Sequence, residues 1–260
     1  NVAIIEGEYI YAIGEGIARI DVIVDEIVLL SIDVNNVLYY PIYTTEDFLA
    51  IGTNLETLSK KYILMNDLDF ENATIRAFSS YKTFTSESKL AFSGVFDGNN
   101  YSIKNFVVSY NTADSTDRDI SVFGYLTSTA VVRNTNFLGV TGADRVSVVS
   151  NWNEGFIENI YVELHYTFTD ASGNKNNNNP AGMIVAKNRS TGTVRNSIVV
   201  LTCVDEDNLQ YVAGVVGQNA GIVDNTQLIT SMDIPLVYSG AGMLTNSEKH
   251  LDLEAFYARS

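Results

Sequence analysis

A short pattern built around asparagine recurs through the middle of the chain and limits the folds open to it. Aligned on that residue, the segments are "SIKNFVV" (102–108), "VVRNTNF" (131–137), "FIENIYV" (156–162), "TVRNSIV" (193–199) and "IVDNTQL" (222–228). Two positions before the asparagine stand Ile103, Val132, Ile157, Val194 and Val223, all β-branched. Immediately before it stand Lys104, Arg133, Glu158, Arg195 and Asp224, all charged. Such alternation describes a half-buried strand whose β-branched residue and asparagine face inward while the charge faces solvent. The next regular apolar position comes three residues after the asparagine, at Val108, Phe137, Val162, Val199 and Leu228. An odd step reverses the face, so the backbone must bend near the asparagine, a residue that tolerates left-handed geometry. Asn105, Asn134, Asn159, Asn196 and Asn225 are therefore read as corners.

These asparagines are separated by 29, 25, 37 and 29 residues. Each interval holds a second apolar segment, mostly with glycine: "SVFGYL" (121–126), "VSVVSN" (146–151), "AGMIVAKN" (181–188) or "VAGVVGQN" (212–219). A period of this size with one or two strands per unit points to a solenoid, in which each coil buries its inner face only by stacking on its neighbours. Helical solenoids are excluded, because the units are rich in Val, Ile, Thr and Gly and lack an i, i+3, i+4 period. The expected class is all-β, closed as a right-handed parallel β-helix of six or seven coils, each about 4.8 Å high, giving a length of roughly 30 Å. The five corner asparagines are expected to stack as an internal ladder. Arg133, Glu158, Arg195 and Asp224 are expected to lie one above another on the outside with alternating sign, as a solvated structural row.

The segment "TTEDFLAIGTNLETLSKKYILMNDLDFENATI" precedes the coils. Thr44 or Thr45 can cap a short helix with Glu46 and Asp47 in its first turn, and Phe48, Ile51, Leu55 and Leu58 recur at near-helical spacing. Such a helix would cover the open end of the solenoid. "YILMNDLDF" then alternates as a strand; Asp67 and Asp69 fit polar turn residues there, with a catalytic or calcium role as the alternative. "YILMNDLDF", "FSGVFDGNNYSIKNF", "VFGYL" and the G-x-[IV]-x-N units resemble the GLUG-type and filamentous-haemagglutinin-like β-helix repeats of large bacterial surface proteins and some phage proteins. The resemblance covers about residues 42 to 246. It departs from the pattern at Ser128 and Thr129, where glycine is usual, and in the 37-residue interval, which carries a long insert.

The first 34 residues differ. "EGEYIYAIGEGIARIDVIVDEIVLLSIDV" alternates strongly, and from Gly14 to Val24 it resembles the C-terminal part of a bacterial immunoglobulin-like group 2 domain. Only a few strands of such a sandwich are present, so either more lies upstream or these strands pack on the solenoid. The expected organisation is a partial Ig-like segment at 1–36, a helical cap and linker at 42–61, the β-helix at 62–246 and a C-terminal tail at 247–260. The chain opens at Asn1 within a strand pattern and is read as a portion of a longer polypeptide.

Charge and composition exclude several functions. Of 260 residues, 46% are hydrophobic and 18% charged, which permits a large core and argues against a disordered chain. A net charge of −15 opposes non-specific binding to nucleic acid phosphates. The single cysteine, Cys203, lies in an apolar run and reads as a small core residue; it permits no intrachain disulfide and no cysteine metal cluster. His165 and His250 each stand alone, no apolar run reaches membrane-spanning length, and no signal peptide is visible. No metal or cofactor is expected. No nucleophile–base set, phosphate loop or dinucleotide fingerprint is present.

An enzyme on this scaffold would need converging carboxylates, or clustered carboxylates beside a basic residue. Asp67, Asp69, Asp97, Asp117, Asp119, Asp205 and Asp207 are the candidates, and no two of them lie at matching repeat positions on adjacent coils with Lys or Arg beside them. Loop placement says more. From each corner to the next apolar strand the spacing varies from 12 to 22 residues, against 12 to 15 on the return. The extra length forms "NTADSTDRD" (111–119), "TFTDASGNKNNNNP" (167–180) and "DEDNLQ" (205–210), expected to emerge on one side. Their polar residues, Asp114, Asp117, Arg118, Asp119, Asp170, Asn174, Lys175, Asn176, Asn177, Asp205, Glu206 and Asp207, are the expected binding set for a surface glycan or a host or partner protein.

The sequence reading is a non-enzymatic structural and adhesive module, extracellular, on a bacterial cell surface or a phage particle, where other subunits of a particle or fibre are further partners. The alternatives are a polysaccharide lyase or glycoside hydrolase on a β-helix scaffold, and a purely structural virion component without a soluble ligand.

Overall fold

The structure is a computed structural model that describes residues 3–6, 9–12, 16–24, 27–36, 38–75, 78, 91–108, 121–143, 147–167, 181–203 and 212–252. It is mostly β, and the chain divides into two compact units, Asn1–Tyr40 and Pro41–Ser260. In the first unit the alternation is realised as antiparallel hairpins. Ala3–Glu6 pairs with Tyr9–Ala12, and Gly16–Val24 pairs with Ile27–Asn36. Val28, Leu30 and Ile32 recur at every second position of the last strand and are all exposed.

In the second unit the pairing is parallel. A five-stranded sheet runs Tyr125–Leu126, Ser150–Asn153, Val185–Asn188, Val216–Asn219 and Val237–Ser239. A larger sheet follows the path Tyr40–Ile42, Lys61–Leu64, Val95–Asp97, Val131–Ala143, Phe156–Thr167, Thr193–Arg195, Ile222–Asp224 and Met243–Thr245. A second row of that sheet adds Leu68–Thr74, Ser102–Val108, Ile198–Cys203, Gln227–Ile229 and Glu248–His250, and includes the C-terminal halves of the two long strands. From Tyr125 onward the chain therefore visits the five-stranded sheet, the first row and the second row in the same order on each pass, whereas the passes before it contribute strands to the two rows alone among the described residues. The segment expected as a tail from 247 begins with one of these strands, Glu248–His250, in register with Gln227–Ile229.

Register explains the recurring pattern. Tyr62, Phe96, Val132, Ile157, Val194 and Val223 occupy equivalent positions and are buried. In the second row Leu68, Ile103, Phe137, Val162, Val199 and Leu228 form another buried stack. Full burial of such side chains stabilises by about 1.5–3 kcal/mol each relative to exposure. The interior changes composition along the stack, from phenylalanine-rich near the N-terminal rows to Val, Ile, Leu and Met later.

Three expectations are corrected here. Asn105 does not share a row with the other corners: Leu138 pairs with Lys104, which sets Gly139 beside Asn105, and both adopt positive φ, 58° and 52°. The equivalent of Phe137 is accordingly Ile103 and not Val108. The remaining member of the corner row is Asn246, φ 48°, aligned through the pairing of Asp224 with Thr245. The corner asparagines also do not face inward: Asn159, Asn196, Asn225 and Asn246 are exposed, and Asn105 and Asn134 are partly so.

The helix before the parallel sheets is shorter than its apolar spacing implies. It spans Thr45–Leu49, with Thr44 and Asp47 forming a reciprocal capping box, and a 3₁₀ turn follows at Thr57–Ser59. Leu55 is 59% exposed, because the chain has left the helix before reaching it. Phe48 is fully buried and meets Phe70, Phe78 and Phe96 edge-on, with ring centroids 5.7, 4.9 and 5.6 Å away.

Candidate functional site

The twelve residues expected to bind a ligand, Asp114, Asp117, Arg118, Asp119, Asp170, Asn174, Lys175, Asn176, Asn177, Asp205, Glu206 and Asp207, all lie outside the described residues. The strands that lead toward them are in register: Val108 pairs with Gly142, Ala143 with Thr167, and Tyr166 with Cys203. On the return side Val122 N–H donates to Val148 O at 2.9 Å, Val148 N–H to Met183 O at 2.7 Å and Ile184 N–H to Val215 O at 3.0 Å. The described ends of these segments thus stand in adjacent rows.

The candidate catalytic carboxylates that are described have structural partners. Asp67 binds the Lys104 ammonium and accepts from Ser102 N–H at 2.8 Å. Those contacts, Lys104 first, hold its carboxyl below the ordinary range. Asp69 accepts from Glu71 N–H and from Asn105 Nδ2, both at 2.9 Å, and is likewise lowered, chiefly by the Glu71 amide. Asp97 accepts from Arg133 Nε at 2.8 Å, Asn99 N–H at 2.9 Å and Asn134 Nδ2 at 3.1 Å. A basic residue lies beside Asp67 and beside Asp97 in the neighbouring row and neutralises the carboxylate there, and no strand pairing among the described residues sets two of these candidates at matching positions. Asp117, Asp119, Asp205 and Asp207 lie outside the described residues, as does the side chain of Cys203. Among the described residues, no group of three or more His, Cys, Asp or Glu side chains could hold a metal ion.

The outer charged row contains Asp97, Arg133, Glu158, Arg195 and Asp224 in successive register. Arg133 pairs with Asp97, and Arg195 Nη2 approaches Glu158 Oε2 to 2.8 Å. Asp224 accepts from Thr245 Oγ1 at 2.6 Å and Asn246 Nδ2 at 3.0 Å, which lower its pKa. At the corners, Asn159 Nδ2 donates to Asn134 Oδ1 and Asn225 Nδ2 to Asn196 Oδ1, each at 2.9 Å. The corner contacts are solvent-exposed, whereas Asp97 is buried and its bonds to Arg133 and Asn134 are partly so; all of them join one row to the next.

A second asparagine ladder, buried, was missed by the sequence reading. Asn153, Asn188 and Asn219 end successive strands of the five-stranded sheet and are 0–2% exposed. Asn153 Nδ2 donates to Asn188 Oδ1, and Asn188 Nδ2 to Asn219 Oδ1, each at 2.9 Å. Asn219 Nδ2 finishes on Met243 O at 3.1 Å. The available signal was a glycine shortly after each asparagine, at 155, 192 and 221. A Cβ at Gly221 would stand 2.1 Å from Gly192 O, so the close approach of consecutive rows requires glycine there.

On the outer face of the same sheet, Tyr125, Trp152, Lys187, Gln218 and Ser239 occupy one register row. The Arg189 guanidinium lies 4.3 Å from the Trp152 ring centroid, and Lys187 Nζ lies 5.5 Å from it. Tyr125 meets Trp152 edge-on at 6.2 Å. Burial, and then the hydrogen bond with Glu154, push the Tyr125 phenol up to about 12. At neutral pH this phenol is a hydrogen-bond donor and not a base. The row thus combines aromatic rings, cations and an amide, an arrangement suited to recognition.

Together these features define a class: a repeat-built, predominantly parallel β protein with polar ladders and a cation–aromatic outer row. No known family model matches the chain, and no curated protein or solved structure matches it. Among the described residues, no helix is long and apolar enough to cross a membrane.

Proposed function

We propose that Pro41–Ser260 is a right-handed parallel β-helix and that the chain works as a non-enzymatic structural and adhesive module, displayed outside the cell on a bacterial surface or a phage particle. The observation that carries this reading is the use of polar side chains to tie rows together. Asn153, Asn188 and Asn219 do so in the interior, while Asp67, Asp69 and Asp97 do so outside. Carboxylates held by ammonium, guanidinium and amide partners are poor general acids or bases. The result is a scaffold of tied rows whose outer face is available for contact. The motif resemblance to bacterial surface and phage β-helix repeats, and to an Ig-like group 2 domain at the N-terminus, supports the same setting.

Incubation with a panel of acidic and neutral polysaccharides tests the non-enzymatic reading. No product is expected. Turnover that disappears in Asp67→Ala, Asp69→Ala or Asp97→Ala protein, with folding retained, would replace it with a polysaccharide-degrading enzyme.

A further inference from the structure

We infer that the Trp152–Arg189 face of the five-stranded sheet is a binding subsite for a carboxylate-bearing sugar. The inference deepens the proposed adhesive role by naming a ligand class and moving its charged contact from the loops to the sheet face. Arg133 and Arg195 are each neutralised by an acidic residue of the adjacent row. Arg189 is different: it is exposed, lies over an indole, and among the described residues forms no ion pair. The guanidinium sits over the ring with Cζ 4.3 Å from its centroid, and a guanidinium offers its N–H groups as a fork that matches a carboxylate.

A second cation, Lys187, packs against the same ring. Glu154 hydrogen-bonds with the Tyr125 hydroxyl and, among the described residues, forms no ion pair with Arg189. The next rows offer an amide and a hydroxyl, Gln218 and Ser239, at a spacing of about 4.8 Å. Neutral hydrogen-bonding groups in line with a cationic end suit a sugar chain. The net charge of −15 disfavours a dense polyanion, so the carboxylate is an isolated one in an otherwise neutral glycan.

Trp152 is the only tryptophan, so its fluorescence reports on this face directly. The probe is an oligosaccharide with one glucuronate, titrated beside its neutral glucose counterpart and beside sodium sulfate at matched ionic strength. A saturable change is expected with the glucuronate alone. Arg189→Gln should weaken it by about tenfold or more, the scale of losing a bidentate charged contact, while Arg195→Gln leaves it unchanged. An equal response to the neutral sugar or to sulfate, or unaltered binding by folded Arg189→Gln, overturns the subsite. Cleavage of the probe would instead refute the non-enzymatic reading, while an Arg189-dependent fluorescence change would still uphold the subsite.

Discussion

Replacing Asn188 with leucine should destabilise the protein by about 2–4 kcal/mol. Its amide is 1% exposed and makes four contacts: it accepts from Asn153 Nδ2 at 2.9 Å, and it donates to Asn219 Oδ1 at 2.9 Å, Gly192 O at 3.2 Å and Ile222 O at 3.2 Å. Leucine fills a similar volume but strands the Asn153 donor, which keeps only a 3.5 Å contact to Thr193 O. Asn219 Oδ1 loses less, because Gly221 N–H still donates to it at 3.1 Å. One buried donor left without a good acceptor, plus weakened acceptors, gives the stated range.

The corner asparagines should behave differently. Asn196 is exposed with φ 50°, a geometry glycine adopts freely, so Asn196→Gly should cost no more than about 0.5 kcal/mol. Urea unfolding followed by far-UV circular dichroism and Trp152 fluorescence measures both. Replacing Asn153, Asn188 and Asn219 together by leucine should cost less than the sum of the single changes, because the stranded partners are removed as well. The reasoning is refuted if Asn188→Leu is neutral, or if Asn196→Gly costs as much.

Phe48→Ala should cost about 3–5 kcal/mol, since three aromatic edge contacts are lost from a fully buried site; the same unfolding assay measures it. Gly221→Ala should cost about 1–3 kcal/mol or more, because the new methyl meets Gly192 O at 2.1 Å and Arg189 O at 2.3 Å; thermal unfolding should fall clearly. Acid should weaken the Asp67 link to Lys104. The folded pKa lies below the ordinary 3.8, so the unfolded chain binds more protons, and the contribution is full above that value and lost as pH falls through the folded one. Asp67→Asn should therefore flatten the pH dependence of stability below about pH 4, read from acid titrations by circular dichroism.

Much of the parallel fold was legible because it is written in local alternation. Ile157, Val194 and Val223 mark the buried positions, and Glu158, Arg195 and Asp224 the outer row. The position of Asn105 was not legible by the same rule. Glycine and asparagine both accept a left-handed corner, and Gly139 occupies the place that an alignment on asparagine gives to Asn134. The burial of Asn188 against the exposure of Asn196 was hidden as well, since the glycine that follows each buried asparagine marks a close approach of rows and not the direction in which the amide faces. Trp152, Lys187 and Arg189 become neighbours only through register between rows 35 residues apart. Their convergence is a property of stacking and not of any short motif.

Two engineered disulfides between the same pair of passes test the stacked architecture most directly. In a Cys203→Ala background, Lys187→Cys with Gln218→Cys joins the five-stranded sheet, and Arg195→Cys with Asp224→Cys joins the larger one. In-register neighbours about 4.8 Å apart fall within the Cα separation of about 4.4–6.8 Å that a disulfide bridges. Mass spectrometry after mild oxidation should find both bonds within one molecule. The one-residue slips, Lys187→Cys with Asn219→Cys and Arg195→Cys with Val223→Cys, point to opposite faces and should stay reduced. Formation of only one in-register bond, or equal oxidation of the slipped pairs, would contradict a chain that adds one strand to each sheet on both of these passes.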